Sequence, residues 1–277
     1  MTNTTKTDRL EQQAKRVREK ILYMIYTAAS GHPGGSLSAA DIMTVLYFDE
    51  LKVDPRNPKW DDRDRFVLSK GHACPVLYAC LALRGYFDVE ELGTLRCENS
   101  ILQGHPDMKR CPGIDISTGS LGQGVSAAVG MALRAKRDGK NYRTFVLLGD
   151  GETQEGEVWE AVEAAVKYRL DNLVLIVDNN GMQNDNRCEV VMPLGILADK
   201  FSAFGCAVHC INGNCMSEVL DVFDKIRGQK CGKPICIIAK TVKGKGVSFM
   251  ENVCMWHGAA PNEEQYRQAL RDIEDGI

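Results

Sequence analysis

A carboxylate and an amide carry the clearest chemistry in this chain of 277 residues. Asp150 stands in the run Gly149-Asp150-Gly151, and Asn180 follows Asn179 one apolar segment later. Both are hard oxygen donors, suited to Mg²⁺ or Ca²⁺ rather than to a soft metal. Mg²⁺ takes about six oxygens and commonly completes its shell with water and substrate phosphates. Gly149 and Gly151 suit a tight turn and let a diphosphate approach the backbone closely.

Four of the five histidines stand beside glycine, in Gly31-His32-Pro33, Gly71-His72-Ala73, Gly104-His105-Pro106 and His257-Gly258. A glycine neighbour exposes the ring and suits a loop that closes on a ligand. Imidazoles bind phosphate oxygens and relay protons near neutral pH. Taken singly, each reads better as a structural loop histidine. Four such loops beside the acid–amide pair point to a site instead. His209, in a strand-like run, reads as structural.

The elements that must position these groups are legible around them. Asp150 comes just after the apolar run Thr144–Leu148, and Asn180 just after Leu173–Val177. Between them, Glu155 to Tyr168 places Val158, Val162, Ala165 and Val166 on one helical face. A strand, a crossover helix and a strand of this length make a right-handed parallel unit. That unit brings Asp150 and Asn180 to the carboxyl ends of neighbouring strands, where open α/β sheets bind ligands.

Elsewhere, Leu10, Ala14, Val17, Ile21, Ile25 and Ala28 predict a helix over residues 8–29. The loop Ser30–Ser36 stops it, and Ser38 is expected to cap a helix over 39–51. Residues 65–68 predict a short strand followed by a helix to about Leu83. After a loop-rich stretch, 123–136 predicts a small-residue helix on which Ser126 and Gly130 permit close approach of a neighbour. Strands are expected at 207–210 and 234–239, and helices near 199–204, 216–227 and 262–275. One doubly wound α/β domain over 1–277, a mostly parallel sheet with helices on both faces, is the economical reading.

The composition, 44% hydrophobic and 26% charged with net charge −3, is that of an ordinary soluble protein. It gives no electrostatic case for nucleic acid or an anionic membrane. No stretch has the length of a membrane span or the apolar core of a signal peptide, so a cytoplasmic protein is expected. Of eleven cysteines, none form a Cys-x-x-Cys pair. Cys206, Cys210 and Cys215, with His209 among them, fit no common zinc spacing. Cys74, Cys80 and Cys236 lie in apolar segments, as reduced, packing thiols do.

The runs SGHPGGSLS (30–38), LSKGHA (68–73), QGHPD (103–107), STGSLGQGVSAAVGMAL (117–133), GDGETQEGEVWEA (149–161), DNNGMQ (178–183) and WHGAAP (256–261) resemble the N-terminal part of transketolases. They follow the family order over nearly the whole chain. The resemblance implies a thiamin-diphosphate-binding domain of the diphosphate type, with Asp150, Asn180 and the Met182 carbonyl holding Mg²⁺ or Ca²⁺. It implies cofactor contacts from His72, Gly119, Leu121, Gly151, Glu152, Asn180 and His257. His32 and His105, and in part His72 and His257, would face the sugar and serve proton transfer. Glu155 and Glu160 match acidic residues at a subunit contact.

The family's pyrimidine-binding and C-terminal domains are missing from this sequence. The resemblance therefore implies the N-terminal subunit of a split transketolase, completed by a partner chain in a heterotetramer with two copies of each. Its reaction would pass a two-carbon ketol unit from a ketose, an anionic sugar phosphate or sulfosugar, to an aldose. The α subunit of a 2-oxo-acid dehydrogenase is an alternative, against which the loops GHPGGSLS and QGHPD speak. A non-catalytic regulatory protein that binds metal and diphosphate is another.

Overall fold

Strands buried on both faces need continuous apolar, β-branched runs rather than alternation. The computed structural model, which describes residues 5–276, places those runs in one five-stranded sheet. The strands are β1 (Arg65–Leu68), β2 (Thr144–Gly149), β3 (Leu173–Asn179), β4 (Ala207–Asn212) and β5 (Ile235–Lys240). Every pairing is parallel and the order is β1-β2-β3-β5-β4, so the last strand is inserted between its two predecessors.

The helices are α1 (Lys6–Thr27), α2 (Pro33–Ser38), α3 (Ala40–Val45), α4 (Cys74–Arg84), α5 (Gln123–Arg137), α6 (Gly156–Lys167), α7 (Cys188–Val191), α8 (Leu197–Ala203), α9 (Met216–Ile226) and α10 (Glu263–Asp275). Side chains alternate across a strand. Phe145 and Leu147 of β2 therefore join a core with α1, α3, α4, α9 and α10. Val146 and Leu148 join a second core with α5, α6 and α8 on the opposite face. The expected doubly wound sheet is the architecture found. Val158, Ala161, Val162 and Ala165 form the buried stripe of α6. No helix among the described residues is long and apolar enough to cross a membrane.

The segment after α1 departs from expectation. Residues read as a loop form the buried helix α2, which Pro33 starts at a position where its missing N–H costs nothing. Ser36 donates to the His32 carbonyl at 2.7 Å. Gly34 is required by proximity: a Cβ there would sit 2.9 Å from the Trp256 carbonyl oxygen. Ser38 does not cap the next helix; its hydroxyl donates to Asp178 at 2.5 Å. The expected helix over 39–51 is split, α3 giving way to one wide turn at Leu46–Glu50.

Candidate functional site

Register decides where the acid and the amide fall. Gly149 of β2 lies opposite Asp178 of β3, so Asp150 and Asn180 leave adjacent strand ends together. Asp150 is buried; one carboxylate oxygen accepts the Gly151 N–H at 2.8 Å and the other the Gly181 N–H at 2.5 Å. The Asn180 amide donates to Asp178 at 3.2 Å, and its oxygen accepts the Met182 N–H at 3.1 Å. Asp150, Asn180 and Met182 line one cavity of about 270 Å³, with Gly151, Lys70, His72, Lys243 and His257 on its other walls. The glycines act differently from the turn read in the sequence: neither Gly149 nor Gly151 has a positive φ. Gly151 is needed for space, since a Cβ there would lie 3.0 Å from Cγ of Gln183.

Three histidines converge. The rings of His32 and His72 are 5.3 Å apart, His32 and His257 5.4 Å, and His72 and His257 5.1 Å. Burial, then Arg96, His105 and Lys243, pushes His32 down to about 4. Burial, then Lys243, His32 and Lys70, pushes His257 down to about 3. Burial, then Lys70, drives His72 well below the ordinary histidine range. The three rings are therefore neutral at pH 7, able to donate and accept. His105 stands apart from the trio: it is exposed and packs beside Gly119, where a Cβ would meet its ring at 3.1 Å. His209 lies on the edge strand β4, outside the cavity.

These shifts carry a sign. A histidine whose folded pKa is depressed gives stability that is complete above the unfolded value near 6.5 and is lost as pH falls toward the folded value. The protein should therefore lose stability steadily between pH 6.5 and about 4. The His32 and His257 ring resonances should stay flat in NMR titrations from pH 5.5 to 8. A midpoint near 6.5 for either ring would contradict the buried, neutral trio.

Two cations went unread in the sequence. Lys70 is 2% exposed and pairs with Asp178, and Lys243 is 2% exposed. The Lys243 ammonium lies 2.8 Å from the Gln183 carbonyl oxygen, 2.8 Å from Nδ1 of His257 and 3.4 Å from the Met182 carbonyl oxygen. Burial, then Lys70, lowers it to about 8. The only sequence signal for them was a lysine inside a glycine-histidine loop and another in Lys243-Gly-Lys-Gly246.

Glu152, expected to touch cofactor, lines the cavity and is buried, with its carboxylate hydrogen-bonded to protein donors. It accepts from Ser69 at 2.5 Å, from the Gly122 N–H at 2.9 Å and from the Gly149 N–H at 3.0 Å. It braces the glycine turn. Leu121 lines the cavity and is 38% exposed, and Glu155 and Glu160 are exposed near the start of α6.

The donor set fits a metal–diphosphate pair. Two ammoniums and neutral imidazoles suit an anion, while a carboxylate, an amide oxygen and a carbonyl suit a hard divalent cation. Among the described residues no three His, Cys, Asp or Glu side chains cluster as a metal cage. A cation held here would take its remaining oxygens from water and from the anion it accompanies. The buried Nε2 of Gln183 and Nδ1 of His32 have no protein partner, and Gln183 lines the same cavity.

Fold and site together describe an α/β domain with a cavity of buried cations, imidazoles and oxygen donors at the ends of adjacent parallel strands. Residues 10–273 match the family described as transketolase, thiamine diphosphate binding domain, and the chain belongs to the transketolase family. It is 44% identical over 268 residues to a subunit of the apulose-4-phosphate transketolase of Phocaeicola vulgatus, covering 97% of this chain and 95% of that protein. It is 44% identical over 265 residues to a subunit of the 6-deoxy-6-sulfo-D-fructose transketolase of a Clostridium species, covering 96% of each. The crystal structure of Campylobacter jejuni transketolase superposes with a TM-score of 0.90 at 36% identity, over 96% of this chain but 42% of that one. The chain thus spans about two fifths of a full-length transketolase. Membership in this family sets aside the 2-oxo-acid dehydrogenase reading.

Proposed function

We propose that this chain is the diphosphate-binding subunit of a two-chain transketolase that moves a two-carbon ketol unit between sugars. The observation that carries this reading is the shared cavity of Asp150, Asn180 and Met182, faced by Lys70, Lys243, His72 and His257, with the His32 ring packed against the last two. Asp150, Asn180 and Met182 would hold Mg²⁺ or Ca²⁺. His72, Gly151, Lys243 and His257 would hold the diphosphate, and Gly119 and Leu121 the thiamin. When bound, thiamin diphosphate supplies the carbon nucleophile for cleaving the bond beside a ketose carbonyl. The chain's own work is anchoring and proton handling: His32 stands against His72 and His257, and His105, beside Gly119, would face the sugar.

Relatives named for a sugar phosphate and a sulfosugar make an anionic ketose the best-supported donor. That both are named as subunits supports a partner chain carrying the pyrimidine-binding part. Two copies of each chain would close a two-fold assembly, with Glu155 and Glu160 in the contact. Eleven free thiols support a cytoplasmic setting, where cysteines stay reduced. The direct test is to assay the assembled enzyme against a panel of phosphorylated and sulfonated ketoses.

The histidines give a separate expectation. His32→Ala and His257→Ala should each lower turnover by roughly 10²–10⁴-fold, the usual worth of a general acid–base step. Their melting temperatures should move little, because neither ring is part of the apolar cores. Unfolding of both variants, with normal specific activity in whatever remains folded, would return these residues to a structural role.

A further inference from the structure

The buried Lys70 and the Asn180 amide share one partner, Asp178. Asp178 is fully buried at the end of β3. Its carboxylate accepts from Ser38 at 2.5 Å, from the Asn180 amide at 3.2 Å, from the Lys70 ammonium and from the Thr241 hydroxyl. The Lys70 ammonium also donates to the Gly35 carbonyl at 2.8 Å. Those four donors come from four separate places: the end of α2, the loop after β1, the turn after β3 and the segment after β5. Thr241 stands two residues before Lys243, and Asn180 two residues after Asp178.

We infer that Asp178 is the positioning residue of the metal–diphosphate site, fixing the orientation of the Asn180 amide and the reach of Lys70 while making no contact with either ligand. The inference rests on the reading of the cavity as that site. An amide has two interchangeable-looking ends. Binding its NH₂ to a buried carboxylate leaves its oxygen as the end that can meet a cation. Outer partners of this kind are typically worth 10–100-fold in metal affinity. The same carboxylate holds Lys70 against α2, so the cation lies at the cavity wall before any anion arrives.

The test compares wild type, Asp178→Asn and Thr241→Val in the full chain assembled with its complementary subunit. Apparent affinity for Mg²⁺ is measured by calorimetry at fixed excess thiamin diphosphate, and folding by thermal melt. Folded Asp178→Asn should bind Mg²⁺ ten- to a hundredfold more weakly, and saturating Mg²⁺ should return turnover to within about threefold of wild type. Binding within twofold of wild type would overturn the inference and leave Asp178 as a merely structural charge. If Asp178→Asn does not fold, Thr241→Val decides, because it removes one donor and keeps the Lys70 pair. About threefold weaker Mg²⁺ binding is expected, and unchanged binding would overturn it. Failure of the wild type itself to bind Mg²⁺ and thiamin diphosphate would instead strike the reading of the cavity.

Discussion

Asp150→Ala should weaken binding of Mg²⁺ with thiamin diphosphate by at least about a hundredfold while the protein stays folded. A carboxylate offers about four acceptor positions, and the two backbone N–H groups of Gly151 and Gly181 take only part of that capacity. The neighbouring buried carboxylates are committed: Glu152 to three protein donors and Asp178 to four. Burial, then the Asp178 charge, raises Asp150 to about 6. A divalent cation beside this buried carboxylate would favour its charged form. Losing the two hydrogen bonds costs about 1–3 kcal/mol, partly offset by removing the desolvated charge. The expected fall in Tm is a few degrees. Calorimetric titration with a parallel melt measures both, and unchanged affinity in the variant would place the metal elsewhere.

Purified by itself, the chain should transfer no ketol unit above background, and addition of a complementary subunit should bring full turnover. The cavity of about 270 Å³ is lined by charged and polar groups, among them Lys70, Asp150, Lys243 and His257. Reaction of a carbon nucleophile needs water kept out. Beside the cavity, α7 presents Val190 and Val191 at 64% and 44% exposure, followed by Met192 at 57%. That turn is tied to the cavity wall by Gln154, whose amide donates to the Met192 carbonyl at 3.0 Å. These adjacent exposed apolar residues are a surface that a complementary subunit would cover in the two-chain reading. Mixing the two chains should give a light-scattering mass of two copies of each together with the onset of activity. Full activity from this polypeptide alone would show the two-chain reading to be wrong.

The sheet was readable because buried parallel strands advertise themselves as unbroken apolar runs. The β2-α6-β3 unit therefore appeared with its two site residues in place. Ser38, Lys70, Asp178 and Lys243 were not readable as a site. Their contacts join residues 140 and 108 positions apart in the chain, and no local pattern records which buried cation will find which buried anion. Helix α2 was missed for a local reason. Its glycines lower helix propensity, and close packing against Trp256 and Lys243 overrides that cost. Histidine spacing named four rings, but only the fold could separate the three that meet from the exposed His105 beside Gly119.

Strand order has a consequence for synthesis. Because β5 sits between β3 and β4, the hydrogen-bonding edge of β3 has no partner until Lys240 has emerged from the ribosome. At roughly 5–20 residues per second, the stretch of about 60 residues after Asn179 leaves that apolar edge bare for roughly 3–12 s. Nascent chains stalled before Pro234 should display a long unpaired strand, the kind of surface that recruits chaperones or pairs with a neighbour. The last part of the sheet to be made is also the one that delivers Thr241 to Asp178 and Lys243 to the cavity wall, so the cavity is completed in the same step that closes the sheet.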